Sequence, residues 1–570
     1  MNRMTKPYLF FAFIILAVIS ACNPEVKSSP GEADIVPEPE KIDVHITRNI
    51  TQTLKFAIEN QGKLNDTILL KMETMADSLY IKNEYKPIWS REAAFLPLAD
   101  SLLTFIENCK RFGLFPSDYH NRALHGMRSM LLSDSITKMN ASVWAAMDLM
   151  YTDAFLLLGK HLKQGRLKYD SVTLRTDSLL GKEFYQGLLR QVTGGASLSS
   201  VFHQLEPQHA AYDSLKLGLN FFLDSIKNFQ RFTYVIYPNK DSVALYAQVQ
   251  KRLYEDSLLS SPTDPIDTAT FRSVIRNYQK SKGLKVTGKL NVNTANALNN
   301  TSWEQFKTIA LNMDRYKLLP DTLPERFIWV NIPSFYMQVW DTDSLVFLSR
   351  VVVGKPDTRT PLLSSRITDM ITYPQWTIPT SIIVKEVIPG VKKNPEYFNK
   401  HGYSLVDDKG NEVDPYNVDW NRYTKGIPYK VVQGSGDANA LGILKFNFSN
   451  KYSVYLHDTN QRYLFKNAMR SLSHGCVRVQ EWQKLAHYLL NIDSMNRKTM
   501  DVTASYAPSD SLRVWMKRKE KHYLQVRSRM PLFIRYFTCA GQGGKLRFYE
   551  DIYGEDKLLK ERYFADKSIQ

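Results

Sequence analysis

The hydrophobic period of this chain changes near residue 326, and that change sets what the chain can fold into. Upstream, Leu98, Leu102, Phe105, Cys109 and Phe112 recur at intervals of four, three, four and three and stop at Gly113. Val143, Met147, Met150, Ala154 and Leu157 repeat the pattern, which breaks at Gly165. Apolar residues at that spacing line one face of a helix. Downstream, Phe327-Ile328-Trp329-Val330, Tyr336 to Trp340 and Leu345 to Val353 are aromatic and β-branched, separated by turn residues such as Asp341-Thr342-Asp343. That composition reads as strands. Lys445 to Phe448 and Ser453 to His457 continue the strand signal, and Pro531 to Thr538 and Lys545 to Tyr549 read as late strands or a closing hairpin. The expected fold class is α+β and multidomain, with a helical N-terminal scaffold, a small helical repeat and then a mainly β domain carrying an inserted flap.

At roughly 100–200 residues per domain, 570 residues suggest about three to five domains. Residues 1–21 read as a secretory signal. Arg3 and Lys6 precede an apolar run of eleven residues, Leu9 to Ile19, too short to span a bilayer as a helix. The run ends in Ile19-Ser20-Ala21-Cys22, which resembles a bacterial lipobox and implies cleavage before Cys22 and lipidation of its thiol. No other apolar stretch reads as long enough to cross a membrane. Residues 22–40, rich in Pro, Glu and Ser, form a flexible tether. Residues 41–260 are a mainly helical scaffold without a catalytic constellation, and Cys109 lies on its apolar stripe as a packed thiol.

Residues 261–300 form a compact helical unit. The face Phe271, Val274, Ile275 and Tyr278 leads into Gly283-Leu284-Lys285-Val286-Thr287-Gly288, and Asn293-Thr294 opens a second short helix. Gln279, Gly283, Leu284, Gly288 and Thr294 resemble the pattern of the small peptidoglycan-binding repeat, which implies wall binding or a purely structural role. Ser302 to Gln305 reads as a capping box for a linker helix within 301–325. The β domain runs over 326–505, interrupted by a flap at 390–440 whose Tyr397, Tyr403, Tyr416, Trp420 and Tyr423 argue for order. Residues 506–570 form a C-terminal scaffold extension, in which Cys539 is another packed thiol.

One segment concentrates chemistry: Tyr455-Leu456-His457-Asp458-Thr459, followed by Ser471-Leu472-Ser473-His474-Gly475-Cys476-Val477-Arg478-Val479. A thiol becomes a strong nucleophile as thiolate and needs a nearby base or positive charge. His457, His474 and Arg478 supply both if the fold brings the strand ending at His457 beside the Cys476 loop. Gly475 permits a tight turn whose N–H groups could face a developing oxyanion. The segment lacks the CxxC and HExxH spacings of zinc sites, so acyl transfer is favoured over a metal centre. A buried structural cysteine is disfavoured because it would leave both flanking cations without a role.

Ser473-His474-Gly475-Cys476-Val477-Arg478 with an upstream histidine resembles the L,D-transpeptidase signature, and the likeness is to the large, scaffold-bearing branch of that family. Val330-Asn331-Ile332-Pro333, Val353-Gly354-Lys355-Pro356, Thr360-Pro361, Pro374-Gln375-Trp376, Asn439-Ala440-Leu441-Gly442 and Phe548 to Gly554 are similar to it too. The resemblance implies a cysteine acyltransferase of peptidoglycan. Cys476 would attack a donor tetrapeptide and expel D-alanine, with His457 as base, to form 3→3 cross-links. The loop Ser473, His474 and Gly475 would support the oxyanion, and Arg478 would fix the loop and could hold the substrate carboxylate through its planar fork. Tyr455, Trp376 and Asp458 are candidate cleft residues, and Asp458 could orient His457 through its side chain or its carbonyl. The alternatives are an L,D-carboxypeptidase, a wall-attachment transferase or a non-catalytic wall-binding lipoprotein. A general cysteine peptidase ranks last, because the papain-like order of cysteine and histidine is reversed here.

No cofactor and no metal are expected. The partners expected are a donor stem tetrapeptide, an acceptor amine and, through the lipid anchor, a membrane. With 74 basic against 57 acidic side chains the net charge is +17, and +15 after loss of the two cations in residues 1–21. That surplus suits an acidic partner such as the wall, and export makes nucleic acid a poor one. The location expected is the bacterial envelope, facing the periplasm. Asn23 after Cys22 favours the outer membrane over the inner.

Overall fold

A computed structural model of the chain describes residues 33–168, 180–226, 229–230, 232–497 and 509–565. The proposed signal and Cys22 lie outside them. Helices dominate up to Tyr316 and strands thereafter, giving the α+β multidomain architecture expected from the change of period.

Two compact units are present. The first comprises residues up to 100 together with 122–156. Its polar residues serve as ties: buried Asp148 accepts from Tyr80 Oη at 2.5 Å and from the Trp89 N–H at 3.0 Å. Asp153 accepts from the Lys71 and Met72 N–H groups, both at 2.7 Å. Burial lifts the Asp148 carboxyl to about 6. The helix Ala141–Lys163 corrects one sequence expectation, because it is long and apolar enough to cross a membrane. It is instead a core helix, mostly buried inside the protein.

The second unit holds residues 101–121 and 157 onward. Its helical part centres on Ser302–Tyr316, whose Phe306, Ile309, Ala310 and Met313 are fully buried. The cap of that helix sits one residue earlier than the capping-box reading. Thr301, not Ser302, is the N-cap and accepts from the Glu304 N–H at 3.2 Å, because the period of buried residues already includes Trp303. Cys109 and Cys539 are buried free thiols, as expected.

The small helical bundle begins earlier than residue 261. Val249 and Leu253, on the helix Ser242–Glu255, share one core with Ile275, Tyr278, Ala295 and Leu298. Its motif residues are explained by internal bonding. The buried Gln279 amide donates to Thr294 Oγ1 at 2.9 Å and Lys289 O at 2.9 Å, and accepts from the Thr287 and Gly288 N–H groups at 2.7 and 2.9 Å. Gly288 has φ +67°, and a Cβ there would lie 2.9 Å from Arg276 Nε.

The β domain is a sheet whose strand order runs Leu444–Phe448, Leu456–His457, Val477–Val479, Ser344–Gly354, Tyr336–Asp341, Arg326–Asn331, Pro531–Arg535, Leu363–Thr372 and Tyr523–Gln525. Leu444–Phe448 also pairs with Leu363–Thr372, so the sheet closes on itself. Ile328, Val330, Met337, Val339, Val351, Phe446, Leu456 and Val477 fill one core, against which Leu485 and Leu489 of the helix Trp482–Arg497 pack.

Two boundaries differ from the sequence reading. Tyr523–Gln525 and Pro531–Arg535 belong to the β-domain sheet, the latter parallel to Arg326–Asn331, so only the later part of 506–570, where Phe537, Cys539 and Phe564 pack with Trp303 and Phe306, extends the helical scaffold. The late strands are also not each other's partners: Cys539–Gln542 and Lys545–Phe548 make their own hairpin. The flap starts well before residue 390. Trp376–Thr377 pairs with Lys430–Gln433 in a four-stranded sheet, and Ile378, Ile382, Val387, Phe398, Leu405, Trp420 and Val431 form its private core. A long insertion with its own apolar core is an ordered subdomain rather than a loop.

Candidate active site

The expected strand Ser453–His457 is shorter than its composition suggests, because Ser453 turns with φ +55° and only Leu456–His457 is strand. That short strand nevertheless sets the site. It runs parallel to Val477–Val479 with Leu456 opposite Val477 and His457 opposite Arg478. Side chains alternate across a strand, so Leu456 and Val477 point into the core while Tyr455, His457, Cys476 and Arg478 share the opposite face. On the other side, Lys445 stands directly opposite His457. One cleft is lined by Tyr455, His457, Ser473, His474, Cys476 and Arg478. The flap contributes Trp376, Pro379, Ser381 and Ile382 to the same cleft.

Cys476 is partly buried at the end of the turn. The turn is held from several directions. Ser473 Oγ donates to the Cys476 carbonyl at 2.6 Å and accepts the Gly475 N–H at 3.1 Å. Gly475 adopts φ +117°, a conformation that L side chains rarely enter. Its carbonyl accepts from Thr360 Oγ1 at 2.9 Å, while that oxygen accepts the Gly354 N–H at 2.8 Å. Tyr553 Oη donates to Gly354 O at 2.7 Å and accepts the Thr360 N–H at 3.1 Å. Gly354 allows the close approach, since a Cβ there would lie 2.1 Å from Thr358 O. Because Ser473 takes the Gly475 N–H, that donor is not open to an oxyanion.

Burial dominates the electrostatics of both groups. Burial raises the Cys476 thiol above its ordinary value, and the opposing pull of the Tyr455 backbone and phenol, Lys445 and Arg478 is smaller. Burial, then Arg478 and Lys445, lower the His457 imidazole to about 3, against the Asp458 and Leu441 backbones. The resting pair is a neutral thiol beside a neutral ring. The two cations favour a thiolate and disfavour an imidazolium.

His457 is buried, stands edge-on to Tyr455 at 5.8 Å between ring centroids, and its Nδ1 has no aligned hydrogen-bond partner among the described residues. Asp458 is not a cleft residue, contrary to expectation. It is fully buried, and its carboxylate accepts from the Ile443 N–H at 3.1 Å and Arg462 Nη2 at 2.8 Å. Gly442 makes room for it, because a Cβ there would lie 2.4 Å from Asp458 Oδ2. Asp458 therefore bears on His457 through its backbone rather than its side chain. Tyr455 and Trp376 do line the cleft, where the Tyr455 phenol and the Cys476 thiol act on each other electrostatically.

His474 is exposed, and its Nε2 contacts Glu386 Oε1 from the flap, so its ring is engaged away from sulfur. Arg478 Nη1 donates to Gln461 Oε1 at 2.7 Å, which fixes the guanidinium beside the cleft. Lys445, Thr360, Tyr553 and Glu386 carry no role in the sequence reading. Each reaches the site from an element outside the 455–479 segment, and only Thr360 and Tyr553 fell within segments resembling the family. The described residues contain no cluster of three or more His, Cys, Asp or Glu able to hold a metal.

Comparisons with known proteins agree with this architecture. Residues 325–501 match the L,D-transpeptidase catalytic domain family, residues 75–219 match a scaffold domain, and residues 243–298 match a candidate peptidoglycan binding domain. A Haemophilus influenzae protein described as a candidate L,D-transpeptidase is 35% identical over 251 residues, 44% of this chain and 48% of that protein. The chain thus aligns with about half the length of that relative. A solved cysteine-to-serine mutant of Enterococcus faecium L,D-transpeptidase is 10% identical, covers 49% of this chain and 86% of its own, and superposes with a TM-score of 0.15, too low to carry an argument. The segment 325–501 is a transpeptidase-type catalytic domain. The L,D-transpeptidase likeness thus covers residues 325–501, preceded in the chain by the scaffold and peptidoglycan-binding matches.

Proposed function

We propose that the protein is a peptidoglycan L,D-transpeptidase that forms 3→3 cross-links through a thioester on Cys476. The observation that carries this reading is the in-register pairing of Leu456–His457 with Val477–Val479, which sets Cys476, Tyr455, His457 and Arg478 on one face of one cleft. Cys476 Sγ attacks the carbonyl carbon at the L-centre of the donor diaminopimelate, and its proton passes to His457. The C–N bond to D-alanine then breaks, and His457 returns the proton to the departing amine. The acceptor amine attacks the thioester carbonyl as His457 takes its proton, the C–S bond breaks, and His457 returns the proton to the departing sulfur. The backbone N–H groups of Cys476 and His474 hold the oxyanion, since the Gly475 N–H is committed to Ser473.

Transfer rather than hydrolysis needs water excluded while an amine enters. The flap residues Trp376, Pro379, Ser381 and Ile382 along the cleft, and the His474–Glu386 contact, support a roof of that kind. The protein is exported, lipidated at Cys22 and carried in the envelope facing the periplasm, with the outer membrane favoured. The small bundle either contacts glycan or braces the catalytic domain.

The test is intact-mass analysis of the full chain with stem tetrapeptide. A tripeptide-acyl adduct, released D-alanine and cross-linked dimer support the proposal, with all three lost in Cys476→Ala. Tripeptide without dimer makes the protein an L,D-carboxypeptidase. Absence of any adduct refutes acyl transfer.

A further inference from the structure

The cleft has a basic neighbour that the mechanism above does not use. A second cavity of about 880 Å³, counting space open to solvent, adjoins the first and shares Trp376, Pro379, Ser453 and Tyr455 with it. Its charged lining residues are Lys445 and Lys430, and no carboxylate lines it. Lys445 projects from the Leu444–Phe448 strand, and its Nζ rests 3.9 Å from the centroid of the Tyr455 ring. The same side chain lines the nucleophile's cleft, one residue before the Leu456–Val477 pair that sets it beside Cys476. Lys445 is half-buried and has neither an ion pair nor a hydrogen bond among the described residues. The carboxylate acting on it, Asp369, has its oxygens bonded to Asn447 Nδ2 at 2.5 Å and Thr368 Oγ1 at 2.7 Å.

Burial makes an ammonium costly unless something compensates it. The ring face supplies part of that compensation, as a cation–π contact. Burial pulls the Lys445 ammonium below its ordinary range, and Cys476 and Asp369 restore only part. A desolvated cation without a counter-ion, beside a nucleophile and among hydroxyls and aromatics, is built to receive an anion from the ligand.

We propose that Lys445, assisted by Lys430, binds a carboxylate of the stem peptide in this second cavity and so sets the substrate against Cys476. Two carboxylates have this chemistry: that of the departing D-alanine, and that next to the attacking amine of the acceptor. The inference rests on the transpeptidase reading for the identity of the ligand, but its test is independent of turnover. Lys445 is a positioning residue here, since it acts on the ligand's carboxylate and not on the reacting bond.

The test uses the full chain carrying Cys476→Ala, so that binding is read without chemistry. Affinities are measured for synthetic stem tetrapeptide against its C-terminal amide, and for D-methionine, as a stand-in acceptor, against D-methioninamide. The expected result is at least about tenfold tighter binding of one acid than of its amide, equivalent to about 1.4 kcal/mol. Lys445→Met abolishes that preference and Lys445→Arg retains most of it. Preference in the tetrapeptide arm assigns the site to the leaving residue, and preference in the D-methionine arm assigns it to the acceptor. Equal binding of acid and amide in both arms, or a preference that survives Lys445→Met, overturns the proposal. A wild-type chain that forms no adduct on Cys476 yet keeps a Lys445-dependent carboxylate preference would instead refute the transpeptidase reading alone.

Discussion

Thr360→Val isolates one oxygen atom beneath the nucleophile's turn. The replacement keeps the shape of the side chain and removes only the hydroxyl. Thr360 is 2% exposed, and that hydroxyl donates to Gly475 O at 2.9 Å and accepts the Gly354 N–H at 2.8 Å. Its loss strands a buried carbonyl and a buried N–H. At about 1–3 kcal/mol for each unsatisfied buried group, the turn loses roughly 2–6 kcal/mol. The Gly475 peptide, at φ +117°, has lost one of its tethers and is free to rotate. Two measurements check this. The melting temperature of the catalytic domain should fall by roughly 4–8 °C for the first 2 kcal/mol, and acylation monitored by intact mass should slow by at least about tenfold. Thr360→Ser, which keeps the oxygen, should stay close to wild type in acylation. Wild-type stability and acylation in Thr360→Val, or equal damage from Thr360→Ser, would show that the hydroxyl does not hold the turn.

Three further outcomes follow from the same geometry. His457 is buried with its ring lowered from 6.5 to about 3, so the unfolded chain takes up its proton first and stability falls as pH drops through that window. At pH 4 the histidine should cost about 3 kcal/mol relative to pH 7, and denaturant unfolding of His457→Gln should lack that component. Because Cys476 is raised by burial and lowered by Lys445 and Arg478, its alkylation by iodoacetamide should climb on the alkaline side, and Arg478→Gln should shift that rise further upward. Gln279→Leu strands the Thr287 and Gly288 N–H groups, so hydrogen exchange should speed up across 261–300 while acylation by tetrapeptide is unchanged.

Much of the site was legible locally. Ser473, Gly475, Cys476 and Arg478 lie within six residues, and a turn that needs a glycine, a small hydroxyl and a thiol leaves a compact trace in the chain. The helical stripes, the packed cysteines and most of the strands followed from periodicity, because burying one face of an element imposes its repeat on the residues. The flap's beginning escaped that reading. An apolar stretch such as Ile378–Val391 looks the same whether it packs in a parent domain or in a core of its own. The strand at 531–535 was likewise visible as a strand without revealing which sheet it joins, and the one at 523–525 was not read at all.

What only the tertiary structure decided is which groups share a face and what surrounds them. Strand register put Lys445 opposite His457 and Tyr455 beside Cys476, and pairing across more than a hundred residues brought Thr360 under Gly475. The protonation of the nucleophile belongs to the same category. Sequence proximity of cations to a cysteine suggests a thiolate, whereas burial, a property of the whole fold, raises the thiol and empties the imidazole of its proton. The chain itself names the reacting atoms, and desolvation, which depends on every neighbour at once, determines the state in which they wait.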